Sequence, residues 1–461
     1  MAVPFGLVGW GGTPVLSANV PLVFLVKVCS TRAMKTTLTA KLKLHTTPEQ
    51  FAALRATQLA YRDSLNLVSH YAFAHGKMSN KVTLQEGTYD EIRARFHLPS
   101  QMACSVPRQV GATYKTLWSK VKHNAAARKA GQTKKRYKGL DQAPSYVSPT
   151  LTYQYGKDYS FKKEHHLSVL TLDGRVIVPY TGYDQHLDLI RKGNQIGAAK
   201  LWYDKPKKRF YLLVSIEVEG PDPTPETHKE VSGVDVGLRY LAVTSTTKGA
   251  STFYSGKRVR AKANHYARLR KRLQKKGTRS ATRRLVALSG RERRLKQDAN
   301  HVISKRIVTQ HPNSIIGLEH LTDIRERTKR RRGKKATNKQ RKANATFSTW
   351  SFAQLHGMLA YKALLNQSMA IQVDAHYTSQ ACPMCGHCCK ENRPNNGLLF
   401  VCQRCQYALH ADLVGARNVA LRTLLVRQDW MRTGVLSERP DVSSVEVKAA
   451  RLQRYAELRW S

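Results

Sequence analysis

The chain has 461 residues, enough for about three domains, and its 41% hydrophobic content suits folded cores rather than a disordered tail. Lys plus Arg number 78 against 31 Asp plus Glu, a formal charge of +47 that excludes cationic partners and points to a polyanion. Nucleic acid fits best, because each neutralised phosphate releases condensed counterions, although a ribosomal or membrane-surface role is compatible with charge alone.

Residues 1–33 carry almost no charge. The apolar run from Pro21 to Val26 has no basic flank before it and Lys27 after it, and it is far short of the ~20 residues of a membrane span. This stretch reads as an extension upstream of Met34, and no transmembrane helix is expected. Residues 35–45 alternate polar and apolar over their second half, which predicts a half-buried strand. Thr47-Pro48-Glu49 then supplies an N-cap, a first-turn proline and an early acid for a helix ending near Gly76. Further helix is expected at about 86–97 and 106–130.

From about 148 to 218 the pattern turns to β. Asp173-Gly174 between Val169–Leu172 and Arg175–Val178 signals a hairpin, and Ala198–Tyr203 with Arg209–Val218 forms a second pair. Pro221, Pro223 and Pro225 mark a linker. Val231–Thr246 reads as strand, turn and strand. The stretch 257–296 is helical and holds 17 Lys or Arg against Glu292 alone, a phosphate-tracking face or a solvated one. Ser314–Leu318 is an apolar strand, 329–342 is a basic run, and a helix is expected from about Ser351 to Ser368. The last ~40 residues read as helix and tail. Trp118, Tyr203 and Tyr211 are candidates for base stacking or, more simply, for core packing. His301 falls on a helix, in a packing or functional role.

Of eight cysteines, six lie between Cys382 and Cys405, a clustering that points to metal binding in a reducing compartment. Cys382-Pro-Met-Cys385 and Cys402-Gln-Arg-Cys405 form two CxxC knuckles, which together make a tetrahedral four-cysteine zinc site without an open position. Cys388 and Cys389 lie outside that spacing, and a redox dithiol pair is the competing reading. Three acids also stand out. Asp235 interrupts the apolar strand Val234-Asp235-Val236, where a lone carboxylate is costly without a partner or cation. Glu319 ends the strand from Ser314, and Asp412 follows the cysteines. Acids of this kind can hold two divalent cations, and Mg2+ suits oxygen ligands. Each acid alone is as compatible with a cap or an ion pair.

The order of these features, together with Gly233-Val-Asp-Val-Gly237, Ile315-Ile-Gly-Leu-Glu-His-Leu321, Trp350–Leu355, Tyr361-Lys-Ala363, Tyr377–Gly386 and Ala416-Arg-Asn418, resembles the TnpB family and the related compact type V CRISPR effectors. The resemblance covers most of 231–422; the first 220 residues agree in layout only. It implies an α+β multidomain protein. A β-barrel wedge (34–46 and 148–220) would carry a helical recognition insertion (47–147). A RuvC-like, RNase H-type α/β nuclease domain (231–376 and 407–422) would follow, with an inserted zinc ribbon (377–406) and a C-terminal tail (423–461). Asp235, Glu319 and Asp412 would hold two Mg2+ ions, and structural Zn2+ would sit on Cys382, Cys385, Cys402 and Cys405. Guide RNA from the transposon end and target DNA would be the partners, in a prokaryotic cytoplasm, with sequence read by base pairing and a flanking motif read by protein.

Three positions depart from the family pattern. Val414 stands where an Asn is usual, His410 where a second acid is common, and His320 where Asp or Asn is frequent. They keep a rival reading open, a nuclease-inactive RNA-guided DNA-binding protein. A strand-joining transposase is a third.

Overall fold

The structure, a computed structural model, describes residues 35–147, 150–205, 207–220, 222–321, 337, 352–394, 397–441 and 444–460. The expected extension 1–33, the basic run 329–342 apart from 337, and 350–351 of the family motifs lie outside the described residues. The chain divides into two compact units, Ala33–Pro223 with Leu364–Gln367, and Thr224–Ala363 with Ser368–Ser461.

In the first unit, β1 (Lys35–Leu44) buries Leu38, Ala40, Leu42 and Leu44 and turns the residues between them outward. It pairs antiparallel with β7 (Arg209–Glu219) from Lys35↔Glu219 to Lys43↔Tyr211, and at its end with β5 (Gly174–Thr181). With β2 (Thr150–Tyr153), β3 (Tyr159–Phe161), β4 (His166–Thr171) and β6 (Gln195–Asp204) these form a seven-stranded sheet of order β2-β6-β7-β1-β5-β4-β3. Its edges β2 and β3 are consecutive in the chain and approach each other. Tyr155 bridges to Tyr159, Tyr153 donates its hydroxyl to Leu170 O on β4 at 2.8 Å, and Tyr159 donates to Gly197 O on β6 at 2.7 Å. The sheet is therefore nearly closed.

Helices α1 (Pro48–Ala74), α2 (Lys81–Glu86), α3 (Tyr89–Phe96) and α4 (Ser100–Lys129) fill the connection from β1 to β2. Thr47 caps α1 in a capping box with Gln50. The helix expected at 86–97 is α3, preceded by the short α2 and a break at Gly87, and the one expected from 106 starts at Ser100 and carries Pro107 inside it. Proline favours the first turn of a helix; here it lies two turns in, and the helix absorbs it. A short helix, α5 (Asp184–Arg191), carries no clear signal in the sequence, and it buries Leu187 and Leu189. Tyr203 packs on Phe51 and Phe210, and Tyr211 stacks on Trp202.

The second unit is built on a five-stranded sheet of order β10-β9-β8-β11-β12. Strands β8 (Glu230–Asp235), β9 (Tyr240–Thr246) and β10 (Ser251–Ser255) are antiparallel neighbours; β11 (Ser314–Glu319) and β12 (Met369–Val373) run parallel to β8. One face packs Val234, Ile316 and Leu318 against Ile303 and Ile307 of α7 (Arg279–Gln310) and Leu355 and Leu359 of α8 (Phe352–Leu365). The other face meets α9 (Ala411–Thr433).

That second contact is set by glycine. A Cβ at Gly233 would lie 2.2 Å from Ala416 O and 2.3 Å from Ala420 N, and one at Gly317 would lie 1.8 Å from Thr423 Oγ1. Helix and sheet approach closely because these two positions carry no side chain. Gly233→Ala is expected to destabilise the unit by about 3 kcal/mol, the upper part of the overpacking range. Its melting temperature should fall by roughly 6–12 °C at about 2–4 °C per kcal/mol. A thermal melt unchanged from wild type would contradict this packing.

The basic stretch is two helices, α6 (Lys257–Lys276) and α7, divided at Gly277, whose φ is +66°. None of α6 is buried. Glu292 staples the pair, accepting from Arg270 of α6 and from Lys296 at 2.8 Å. After β12 come the cysteines, the hairpin β13 (Leu399–Val401) and β14 (Ala408–His410), then α9 and α10 (Val445–Ala456). Helix α9 is continuous across residue 422, where the tail was expected to begin. Among the described residues, no helix is long and apolar enough to cross a membrane.

Candidate metal centres and nucleic-acid contacts

Two-residue alternation decides where the acids point. On β8, Val234 faces the core, so Gly233 and Asp235 face α9; on β11, Leu318 faces the core, so Gly317 and Glu319 share the α9 side. A glycine two residues before each acid thus lets α9 come close, and Asp412 stands in the first turn of that helix. Asp235 touches α9 directly, since a Cβ on Gly415 would lie 3.0 Å from its Cγ and Oδ2.

The electrostatics of the group follow from this convergence. Burial pushes the Asp235 carboxyl well above the usual range, and the carboxylates of Glu319 and Asp412 push it further. Burial also raises Glu319, against the hydroxyl of Thr378, which donates to Glu319 Oε1 at 2.7 Å. The guanidinium of Arg393 lies 3.6 Å from Asp412 Oδ1 and partly offsets the charge at Asp235. Glu319 and Asp412 beside the half-buried Asp235 make a three-carboxylate donor set for hard divalent cations, whose charge would favour the ionised forms that burial opposes. Their oxygens are more widely spaced than a single tight cluster, because among the described residues only the four cysteines place three or more ligand atoms within 4.8 Å of one another.

Gly415→Ala should therefore crowd Asp235 without disturbing the rest of the helix. Any divalent-cation-dependent cutting is expected to fall about 10–100-fold, the range typical of displaced ligand supports. Equal rates for the two proteins in a plasmid-cleavage time course would contradict the expectation.

The structure places each of the three departures. His410 caps α9, its Nδ1 accepting from the Asp412 N–H at 3.2 Å, and its ring meets Tyr240 and Phe253 edge-on. Val414 is buried with Cys382, Phe400 and Cys402. The His320 backbone N–H donates to Val373 O at 2.7 Å. The backbone carbonyl of His301 accepts from Lys362 Nζ at 2.7 Å.

The cysteines meet as their spacing indicated. Cys382 and Cys405 sulfurs are 3.6 Å apart, and those of Cys385 and Cys402 are 3.5 Å apart. A tetrahedral ion with metal–sulfur bonds of ~2.3 Å requires about 3.8 Å, so the sulfur set fits zinc. Each knuckle turns through a left-handed residue four places after its first cysteine, Gly386 and Gln406, whose N–H groups donate to Cys382 O and Cys402 O. Burial works against a thiolate at Cys402, but the N–H groups of Cys405 and Arg404 outweigh it and hold its pKa at about 7. Cys388 and Cys389 stand outside the cluster.

Sequence reasoning missed Arg393 and Thr378. Arg393 sits in the loop between the knuckles, one more cation among the chain's 78, and no periodicity marks it. In the first unit, a cleft of about 440 Å³ between α4 and the sheet brings together Arg108, Gln109, Thr113, Thr152, Gln154 and Lys200. Amide and hydroxyl groups between two cations can hydrogen-bond base edges while the cations meet phosphates.

Two stretches of the chain match known families. A family profile described as "Probable transposase" matches residues 213–324, and one described as "Cas12f1-like, TNB domain" matches 352–419. A TnpB-like protein of Methanocaldococcus jannaschii is 27% identical over 207 residues, 42% of this chain and 69% of that protein. The CRISPR-associated endodeoxyribonuclease Cas12f1 of Sulfoacidibacillus thermotolerans is 26% identical over 258 residues, 51% of this chain and 56% of its own. The putative RNA-guided DNA endonuclease InsQ of Escherichia coli K12 is 23% identical over 273 residues, 57% of this chain and 66% of its own. The chain therefore spans only 56–69% of these relatives' lengths. The solved structure of CasPhi-2 (Cas12j) bound to crRNA resembles the fold with a TM-score of 0.50 at 11% identity, covering 85% of this chain and 98% of that one.

Proposed function

We propose that this chain, a member of the TnpB family, is an RNA-guided DNA endonuclease that hydrolyses target phosphodiesters with divalent cations held by Asp235, Glu319 and Asp412. The observation that carries the reading is the convergence of Asp235, Glu319 and Asp412 from two parallel strands and one helix, with Asp235 half-buried between them. The strand order, three antiparallel strands followed by two parallel ones, supports a RuvC-like, RNase H-type domain. The nearly closed sheet with its helical insertion supports the wedge and recognition parts.

Two Mg2+ ions bound by the acids would activate water and stabilise the leaving oxygen of the phosphodiester. The protein's own groups do the rest. β8 and β11 fix two carboxylates, α9 brings the third, and Arg393 balances the charge beside Asp412. The α6–α7 pair presents cations that can follow a nucleic-acid backbone. The cysteines would hold structural zinc, and the cleft lined by Gln109 and Gln154 is a candidate reader of the motif flanking the target.

The test uses protein co-expressed with RNA from its own transposon end. The purified complex is incubated with Mg2+ and plasmids carrying the guide-matched target beside randomised flanks. Cutting confined to certain flanks would support a guided nuclease. Guide-dependent binding without cutting would favour the inactive binding protein that His410 and Val414 suggest, and joined strands would favour a transposase.

A further inference from the structure

Thr378 is a buried hydroxyl in the turn between β12 and the first cysteine knuckle. Its Oγ1 donates to Glu319 Oε1 at 2.7 Å, while Ala375 O lies farther from it at 3.3 Å. Tyr377 adopts a left-handed φ of +60° without being glycine, a conformation that persists only when its surroundings impose it. The N–H groups of Gln380 and Ala381 both donate to Tyr377 O, at 3.0 and 2.9 Å.

From the other side, Asn418 of α9 donates through Nδ2 to Thr378 O at 2.7 Å and to Ala381 O at 2.8 Å. Asn418 is itself buried. The next residue after Ala381, Cys382, belongs to the four-sulfur cluster. One short segment therefore joins the cysteine module, the helix that carries Asp412, and the carboxylate of Glu319.

We propose that Thr378 is a positioning residue for Glu319, and that the cysteine module and Asn418 hold it in place. Fixing one carboxylate oxygen through the Thr378 hydroxyl sets the direction of the other toward a divalent cation. The cysteine module thereby acts on the cation site through a hydrogen bond, in addition to stabilising its own fold. This rests on reading Glu319 as a cation ligand.

The test compares wild type, Thr378→Val and Thr378→Ser as full-length chains purified with their RNA. Mn2+ is titrated and its binding followed by electron paramagnetic resonance, with plasmid cutting, zinc content and melting measured beside it. Valine keeps the shape and removes the donor, so the Mn2+ half-saturation concentration is expected to rise about 10–100-fold. Serine restores the donor and should return it to within about 2-fold of wild type, with zinc content unchanged in both variants. Unchanged Mn2+ affinity in Thr378→Val, or equal losses in the valine and serine variants, would overturn the proposal. So would a loss of zinc in Thr378→Val, which would make the residue merely structural. Wild type that binds Mn2+ without cutting DNA would count against the nuclease reading and leave the valine–serine contrast decisive for Thr378.

Discussion

Asp235→Asn should reduce guided cutting by about 10³-fold or more while guide-dependent DNA binding persists. Cation catalysis at such a centre supplies several kcal/mol of charge stabilisation, and about 1.4 kcal/mol corresponds to each tenfold in rate. The same substitution should raise the melting temperature of the cation-free protein at pH 7. Burial and two neighbouring carboxylates raise the folded-state pKa of Asp235. The unfolded chain ionises it near ~3.9, so the unfolded state loses this proton first as pH rises. Stability from the protonated form is thus present below about pH 4 and is lost as pH climbs toward the folded value. Asn carries no such charge. In chelator, melts between pH 4 and 8 should show the variant above wild type at neutrality and the gap closing toward pH 4. A variant that melts below wild type at pH 7, or that still cuts, would defeat the assignment.

The second large effect concerns the cysteines. Cys402 is fully buried against Phe400, Ala411 and Val414, and β14 runs without interruption into the helix that begins two residues before Leu413. Structural zinc in small modules contributes about 10–16 kcal/mol of apparent binding energy that is also folding energy. Cys402→Ser is therefore expected to lose the bound zinc, to expose 382–405 to protease and to abolish cutting, because Asp412 depends on the hairpin for its placement. Cys388→Ser, outside the cluster, should keep its zinc and its protease pattern. Metal analysis with limited proteolysis checks both. Full zinc content in Cys402→Ser would show that the four sulfurs do not share one ion.

Much of this was legible from residue patterns. The alternation in β1, the cap at Thr47 and the Asp-Gly hairpin are local signals, and the structure has a strand, a capped helix and a β4–β5 hairpin at those places. The paired CxxC spacing is also local, and the four sulfurs meet. Other elements carried weaker signals. β12 has only five residues, and the helical reading of 351–368 ran up to its edge; the helix ends at Leu365, and Gln367 turns the chain at a φ of +55°. β10 is a five-residue strand after a turn, too short for its periodicity to register.

The site was legible in its acids and illegible in its supports. Asp235 and Glu319 were conspicuous because a carboxylate is costly in an apolar strand. Gly233 and Gly317 matter as much, yet a glycine in a strand announces nothing about which helix will lie against it. Arg393 and Thr378 reach their partners across sequence separations of 19 and 59 residues, distances over which no periodicity carries information. A Gly-x-acid pattern at the end of two parallel strands was the available signal, readable only once the strands were known to share a face.

The glycine floor of the sheet also has a meaning in time. Asp235 leaves the ribosome 177 residues ahead of Asp412 (412 minus 235), a lag of roughly 9–35 s at 5–20 residues per second. Through that interval Gly233, and from its own synthesis Gly317, wait without the helix that fills the space above them. Nascent or prematurely terminated chains that end between Glu319 and Asp412 hold two acids and lack the third. On the proposed reading, the cation site cannot be assembled until nearly the whole chain has been made.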